Sequence, residues 1–270
     1  MARVELPASR VRARRRKRRV RLMIVAAALL VTVAGAAVGL MWLPVVRIQT
    51  IDIEGVSSVN LDTVRTAAQS ELAGEQWYIF PRDNAFLYPR EELRASLMRQ
   101  FPIFKTVGIY SQNLAALSIT VTERAPAALW CGESAASSSP CSLMDDSGAV
   151  YAPAADFAGQ VYVRYYGALK AAYPKQFMTP ESFQGLAALE SALAGAARED
   201  IVAVEITPDT GVVHFNDGFV LRYSLMDSGA DVVQRFSLAL AAAPFTAHKL
   251  SDFEYLDLRF GDRLYYKLRQ

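Results

Sequence analysis

The hydrophobic pattern divides the chain into one long apolar run and two regions of short alternating elements. Residues 22–43, LMIVAAALLVTVAGAAVGLMWL, contain no charge. At about 1.5 Å per residue, a helix of this length spans roughly 33 Å, close to the thickness of a bilayer's hydrocarbon core. The run therefore predicts a transmembrane helix, with Trp42 at the interface and Pro44 ending the helix.

A cleaved signal peptide is the alternative for this run, since Ala34-Gly35-Ala36 resembles a small-residue cleavage site. Apolar residues continue well past Ala36, and that length favours an uncleaved anchor.

The charge pattern sets the expected topology. Residues 1–21 hold nine arginines, one lysine and one glutamate, whereas the rest of the chain holds 19 basic and 26 acidic residues. The positive-inside rule then places 1–21 in the cytoplasm as a basic tail and the C-terminal domains outside, in a single-pass type II arrangement. A basic cluster also suits nucleic acid. No aromatic residue interleaves these charges, so we expect contact with anionic lipid and no nucleic-acid binding.

The region after the span predicts a small α+β domain, assigned to 45–124. Alternating residues indicate strands, and apolar residues three and four apart indicate helices. The predicted elements are strand, helix, helix, strand and strand: 46–54, 61–74, 88–101, 104–110 and 117–123. Within it, the aromatic residues of 75–90 either enter the core, the commoner fate of aromatics, or form a docking surface. They are Trp77, Tyr78, Phe80 and Phe86.

The region 125–270 predicts a mainly antiparallel β domain with two helices, so the fold class is α+β throughout. Predicted strands are 127–130, 142–144, 149–151, 160–166, 201–207, 211–216, 219–225, 253–260 and 263–269, and predicted helices are 180–194 and 231–242. The boundary between the domains is placed at Pro126.

Few residues in the exported part offer chemistry. His214 and His248 have no second ligand at metal spacing. The glycines form no phosphate-binding motif, and no serine has the setting of a nucleophile. We therefore expect no enzyme activity, no cofactor and no metal.

The two cysteines, Cys131 and Cys141, bracket a loop rich in serine and alanine. A zinc site needs four ligands, and a redox pair is more typically CxxC. Outside the cytoplasm the pair predicts a disulfide, with free thiols as the alternative where the envelope lacks oxidising machinery.

Charged residues flank this loop. Glu123-Arg124 is interpreted as a surface pair of little energetic weight. Asp145 and Asp146 point in opposite directions on a strand, so they do not form a paired-carboxylate site. In a turn we expect them to accept hydrogen bonds from backbone amides.

Several short motifs, taken in order, resemble the bacterial cell-division family FtsQ/DivIB. After the basic tail and single span come VRIQTIDIEGV, FPIFKTVGIY, LSITVTERAPAALW, DDSGAVY and YLDLRF. Each motif is weak alone, but their order and spacing cover nearly the whole chain. The cysteine loop departs from the family's common pattern.

The resemblance implies that 45–124 is a POTRA domain of β-α-α-β-β order. It also implies a non-enzymatic divisome scaffold, enriched at the division septum, that binds FtsB- and FtsL-type single-span proteins. Through them it would help organise the septal peptidoglycan synthases.

The last predicted strand, 263–269, is expected to be a free sheet edge, where a partner can add a strand. Its tyrosines Tyr265 and Tyr266 are the expected anchors. On the neighbouring strand, Tyr255, Asp257 and Arg259 share a face and are expected to set the partner's register.

Two other functions stay open. One is a POTRA-containing chaperone or assembly factor of the envelope, and the other is a membrane-anchored hydrolase. The chain shows neither repeated POTRA modules nor a catalytic cluster, so both are less favoured.

Overall fold

The computed structural model describes residues 8–136, 140–155, 157, 159–170 and 174–270, with side chains from residue 15 onward. The chain divides into two compact units. The first comprises Met1–Leu97 and Thr106–Thr122, and the second comprises Met98–Lys105 and Glu123–Gln270.

The N-terminal helix, α1, covers Ala8–Met41. Its segment Arg15–Met41 is long and apolar enough to cross a membrane, and the most apolar window is wholly exposed. The predicted apolar helix is confirmed, and it is compatible with a single-pass anchor. The helix extends well before residue 22, because arginine and lysine are good helix formers and the loss of charge does not mark a helix end.

A three-stranded sheet and two helices follow α1. The elements are β1 Thr50–Glu54, α2 Leu61–Leu72, β2 Glu75–Gln76, β3 Phe80–Pro81, α3 Arg90–Gln100, β4 Phe104–Ser111 and β5 Ala116–Glu123. The strand order is β1-β5-β4, with β1 parallel to β5. Asn60 caps α2 by accepting a hydrogen bond from the Asp62 amide. The first strand starts later than predicted, because Pro44–Val46 form a 3₁₀ turn.

The small hairpin of β2 and β3 was not predicted. Its aromatic residues do not form a core: Trp77 is 69% exposed and Tyr78 is 95% exposed. Phe86 is also exposed, and Phe80 is half-buried. The alternative that these residues enter the core is therefore wrong for Trp77, Tyr78 and Phe86, and Phe80 is only half-buried.

The second unit contains a ten-stranded sheet. Its elements are β6 Ala128–Trp130, β7 Ser142–Met144, β8 Ala149–Pro153, β9 Arg164–Tyr166, β10 Lys175–Gln176, α4 Pro180–Ala197, β11 Ile201–Ile206, β12 Thr210–Phe215, β13 Val220–Ser224, α5 Gly229–Leu240, β14 Phe253–Phe260 and β15 Arg263–Leu268. The strand order is β10-β8-β7-β6-β9-β11-β12-β13-β14-β15. Most neighbours are antiparallel, but β9 is parallel to both β6 and β11, and β13 is parallel to β14. The predicted sheet domain with two later helices is confirmed.

The core of this unit lies between the sheet and the two helices. Thr179 and Ser228 cap α4 and α5 through their hydroxyl groups. Phe236 of α5 stacks on Phe215 and Phe219. Along β12 and β13 every second side chain enters this core, which is why the periodicity located these strands.

The predicted disulfide is present. Cys131 follows β6, Cys141 precedes β7, and their Cα atoms lie 4.1 Å apart. It closes the loop between two antiparallel neighbours. Residues 137–139 of this loop lie outside the described residues.

The interpretation of Arg124 as a surface residue is wrong. Its side chain is 7% exposed and forms a 2.5 Å ion pair with Asp145, which is 1% exposed. Asp145 also accepts hydrogen bonds from the amides of Ser147 and Ala149, as expected for the turn, and from the Ser147 hydroxyl. Burial alone would raise the pKa of Asp145, but the bonds from Ser147 and Arg124 outweigh it and hold that pKa below its ordinary value.

Candidate partner-binding edge

The last strand, β15, lies at one end of the sheet order, and all six of its residues are exposed. It pairs with β14 in antiparallel register, Leu256 opposite Tyr266 and Asp257 opposite Tyr265. No described strand lies on its outer side. Alternate backbone N–H and C=O groups along that side are therefore directed away from the sheet.

The two tyrosines lie on opposite faces of this edge, as the alternation predicts. The Tyr265 ring meets Phe260 edge to face at 5.1 Å. The Tyr266 ring contacts Phe245 and Phe253 at the rim of the core, with centroids 5.7 and 5.9 Å away. Each is nonetheless more than two-fifths exposed, so each retains surface that a partner can bury.

The three predicted residues on β14 have different environments. Tyr255 is half-buried and lies under the Arg222 guanidinium, 4.8 Å from the ring centroid. Asp257 is 4% exposed and is held by Arg259, whose Nη2 lies 2.6 Å from Oδ2. The side chain of Arg259 is 35% exposed.

The hydrogen-bonding capacity of the Asp257 carboxylate is therefore used within the fold. Burial would raise its pKa, but the hydrogen bonds from the side chain and amide of Arg259 outweigh that effect and lower it. A carboxylate in this state orients Arg259 more than it contacts a partner. Of the five predicted residues, the geometry leaves Tyr265, Tyr266 and Arg259 most accessible.

Sequence reasoning missed three exposed apolar residues at the same edge. Phe260, Leu264 and Leu268 are 54%, 42% and 39% exposed. Leu264 and Leu268 lie two positions either side of Tyr266, so they share its face of β15. That period of two was visible in RLYYKL and could have identified them.

Basic side chains hold this edge in place. Arg235 of α5 donates to the carbonyls of Leu258 and Gly261 at the β14–β15 turn and pairs with Asp227. Lys267 lies 2.6 Å from Glu254, and the hydrogen bond between them raises the pKa of Lys267. The strand is thus positioned by contacts on its turn and inner side.

A buried acid lies elsewhere in the second unit and was also missed. Glu190 of α4 is 8% exposed and accepts a 2.6 Å hydrogen bond from the Tyr165 hydroxyl. Burial raises the pKa of Glu190 to about 7, and the bond from Tyr165 offsets this only in part. Its spacing in the sequence could have revealed this burial, because Leu186, Glu190 and Leu193 lie on one face of the helix.

The remaining titratable groups offer less chemistry. His214 is half-buried, and burial lowers its pKa. His248 lies against Phe253 and 3.8 Å from Asp252. Within the described ranges, no three His, Cys, Asp or Glu side chains are grouped so as to hold a metal ion.

No family model matches the chain, and no curated protein is significantly similar to it.

Proposed function

We propose that this protein is a membrane-anchored, non-enzymatic scaffold of bacterial cell division, of the FtsQ/DivIB kind. In this proposal α1 spans the cytoplasmic membrane with the basic tail inside, and both units lie outside the cytoplasm. The protein would be enriched at the septum and would bind small single-span partners of the FtsB/FtsL type. Through them it would help organise septal cell-wall synthesis.

The observation that carries the proposal is the open edge at β15. Six consecutive exposed residues, with two tyrosines on opposite faces, match what strand addition requires. Backbone pairing would supply affinity, while Tyr265 and Tyr266 would anchor partner side chains on the two faces. Tyr255 and Arg259, the latter held in place by Asp257, would then help to define the register of the added strand.

The POTRA assignment belongs to the same proposal. The order β1, α2, α3, β4, β5 and the sheet order β1-β5-β4 support it. Gly55 supports it further, because its φ is +83° and a Cβ there would lie 2.0 Å from the Val121 carbonyl oxygen. The glycine of the EGV motif is thus required by the close approach of β1 to β5.

Site-specific photo-crosslinking in native membranes tests the proposal. A photoreactive residue replaces Tyr265 or Tyr266, and adducts are identified by mass spectrometry. We expect adducts to a small single-span protein with a coiled-coil pattern from both positions. Met226, which is 86% exposed in a loop of the same unit, is the matched control and should give no such adduct.

Two results would contradict the proposal. With abundant and folded protein, the absence of adducts from both tyrosines would mean that the edge is only solvated. Adducts to the same partner from Met226 with equal yield would mean that crosslinking does not report the edge.

A further inference from the structure

The β2–β3 hairpin carries the most exposed aromatic residues of the described chain. Trp77 and Tyr78 form its tip with Ile79, and these side chains are 69%, 95% and 49% exposed. The stretch from Gln76 to Pro81 contains no charged residue. A soluble surface rarely presents such a cluster without something to cover it.

The backbone at the tip is held in an unusual conformation. Trp77 and Tyr78 have φ values of 55° and 59°, and the Ile79 amide bonds to the Gln76 carbonyl. Two consecutive residues with positive φ make a type I′ turn, for which Asn-Gly is the favoured sequence. Bulky aromatic residues are disfavoured there, so their presence is strain of the kind found at functional positions.

The hairpin is tied to the end of α1. The Trp42 indole donates a hydrogen bond to the Ile79 carbonyl at 2.9 Å. The side-chain amide of the buried Asn84 donates one to the Met41 carbonyl, also at 2.9 Å. The Ala85 amide also bonds to the Val46 carbonyl. The first bond holds the tip near the level where α1 ends, and the other two hold the segment that follows the hairpin.

That level is the boundary of the hydrocarbon core if α1 spans a bilayer. The charge-free part of α1, from Leu22 to Met41, is about 30 Å long, which matches the core thickness. Tryptophan and tyrosine prefer the interface at this depth, where the ring is apolar and one end is wet. Leu43 and Val45 beside them are also exposed.

We infer that the tip of the β2–β3 hairpin inserts into the outer interface of the membrane as a second anchor beside α1. Trp77, Tyr78 and Ile79 would lie among the lipid headgroups and the first acyl carbons. Because the hairpin is bonded to the α1 end, its insertion would limit rotation of the first unit against the membrane. The inference rests on the proposed membrane anchor, and it names the lipid interface as a further partner.

The three tryptophans of the chain allow a test on the unaltered sequence, with variants needed only to assign the resonances. The full chain is labelled with 5-fluorotryptophan, placed in nanodiscs of phosphatidylcholine and phosphatidylglycerol, and examined by ¹⁹F NMR. Substitutions Trp42→Phe, Trp77→Phe and Trp130→Phe assign the three resonances. A spin-labelled lipid with its nitroxide high on the acyl chain is then added.

We expect broadening of the Trp42 and Trp77 resonances, whereas Trp130 should stay sharp. Trp130 is half-buried in the second unit, where its indole bonds to the Gly167 carbonyl, so it is the internal control. Broadening of Trp42 without Trp77 would overturn the hairpin inference and leave the anchor intact. No broadening of Trp42 would overturn both, and equal broadening of Trp77 and Trp130 would show that the hairpin has no special contact with lipid.

Discussion

The two edges of the ten-stranded sheet are built in opposite ways. At one end, β10 has two residues, and Lys170 bridges to Gln176 beside it. The Gln176 side chain donates to the Ser147 carbonyl, and the Phe177 amide donates to the Gly148 carbonyl. At the other end, β15 runs for six exposed residues with no described segment beside it.

This difference shows that the fold can cover the end of a sheet, so an uncovered edge is a specific feature. Short strands and covering segments are ordinary protection against unwanted pairing, and β10 has both. The fold therefore protects one edge and leaves the other long and exposed. That asymmetry favours a use for β15.

The largest expected effect on stability comes from a substitution that weakens the support of the β10 edge. Asp145 organises the turn that receives Gln176 and Phe177, so Arg124 supports the β10 edge indirectly. Arg124→Met would leave the buried carboxylate without its cation and should destabilise the folded protein by about 3–5 kcal/mol. Urea unfolding of the detergent-solubilised full chain, followed by circular dichroism, measures it.

The neighbouring ion pair provides the control for Arg124. Lys105 and Asp146 lie 2.7 Å apart, and their side chains are 39% and 70% exposed, so Lys105→Met should cost about 1 kcal/mol or less. Arg124→Met with Asp145→Asn should recover part of the loss, because no buried charge then remains. Equal effects of Arg124→Met and Lys105→Met would contradict the burial of the first pair.

The stability of the protein should depend on pH because of Glu190, whose partner lies on a strand in the middle of the sheet. Tyr165 lies on β9, and its partner Glu190 has a pKa of about 7 against an ordinary value of 4.5. Between these values the folded state binds more protons than the unfolded state. The free energy of unfolding should therefore fall by about 3 kcal/mol as the pH rises from 4.5 to 7, and stay low above that.

Glu190→Gln should remove this slope and raise stability at pH 8, as measured by thermal unfolding across the range. Glu181→Gln is the control, since Glu181 is exposed on the same helix. A slope that survives in Glu190→Gln would mean that another group causes it.

Sequence patterns predicted most of this architecture and little of its asymmetry. Strands such as β12 and β13 were located because alternate residues enter one core. A two-residue strand such as β10 carries no periodic signal, so the protected edge could not be predicted. The burial of Arg124 was hidden because its partner is 21 residues away and brought near only by folding. The Trp77–Tyr78 turn was missed because its residues contradict the usual turn preferences.

Shortening the tyrosine side chains of the open edge should weaken partner binding more than it weakens folding. Tyr265→Ala and Tyr266→Ala each remove a central aromatic anchor, for which about 2 kcal/mol or more is typical, or roughly a 30-fold loss of affinity. Capture of the crosslinked partner by the full chain in nanodiscs measures it. Lys175→Ala on β10 should bind like the unaltered protein, and a loss there equal to that at Tyr265 would remove the distinction between the edges.

The smallest effect on stability concerns two lysines, one on each edge. Lys267 pairs with Glu254 at the surface, so Lys267→Val should leave the free energy of unfolding almost unchanged. Charged lysines on an edge strand oppose pairing between copies. Lys267→Val should therefore promote concentration-dependent self-association in detergent, measured by analytical ultracentrifugation, whereas Lys175→Val on the short β10 should not. If both variants stay equally monomeric, the length and exposure of β15 are not enough to make it a pairing edge, and its partner must be recognised mainly through side chains.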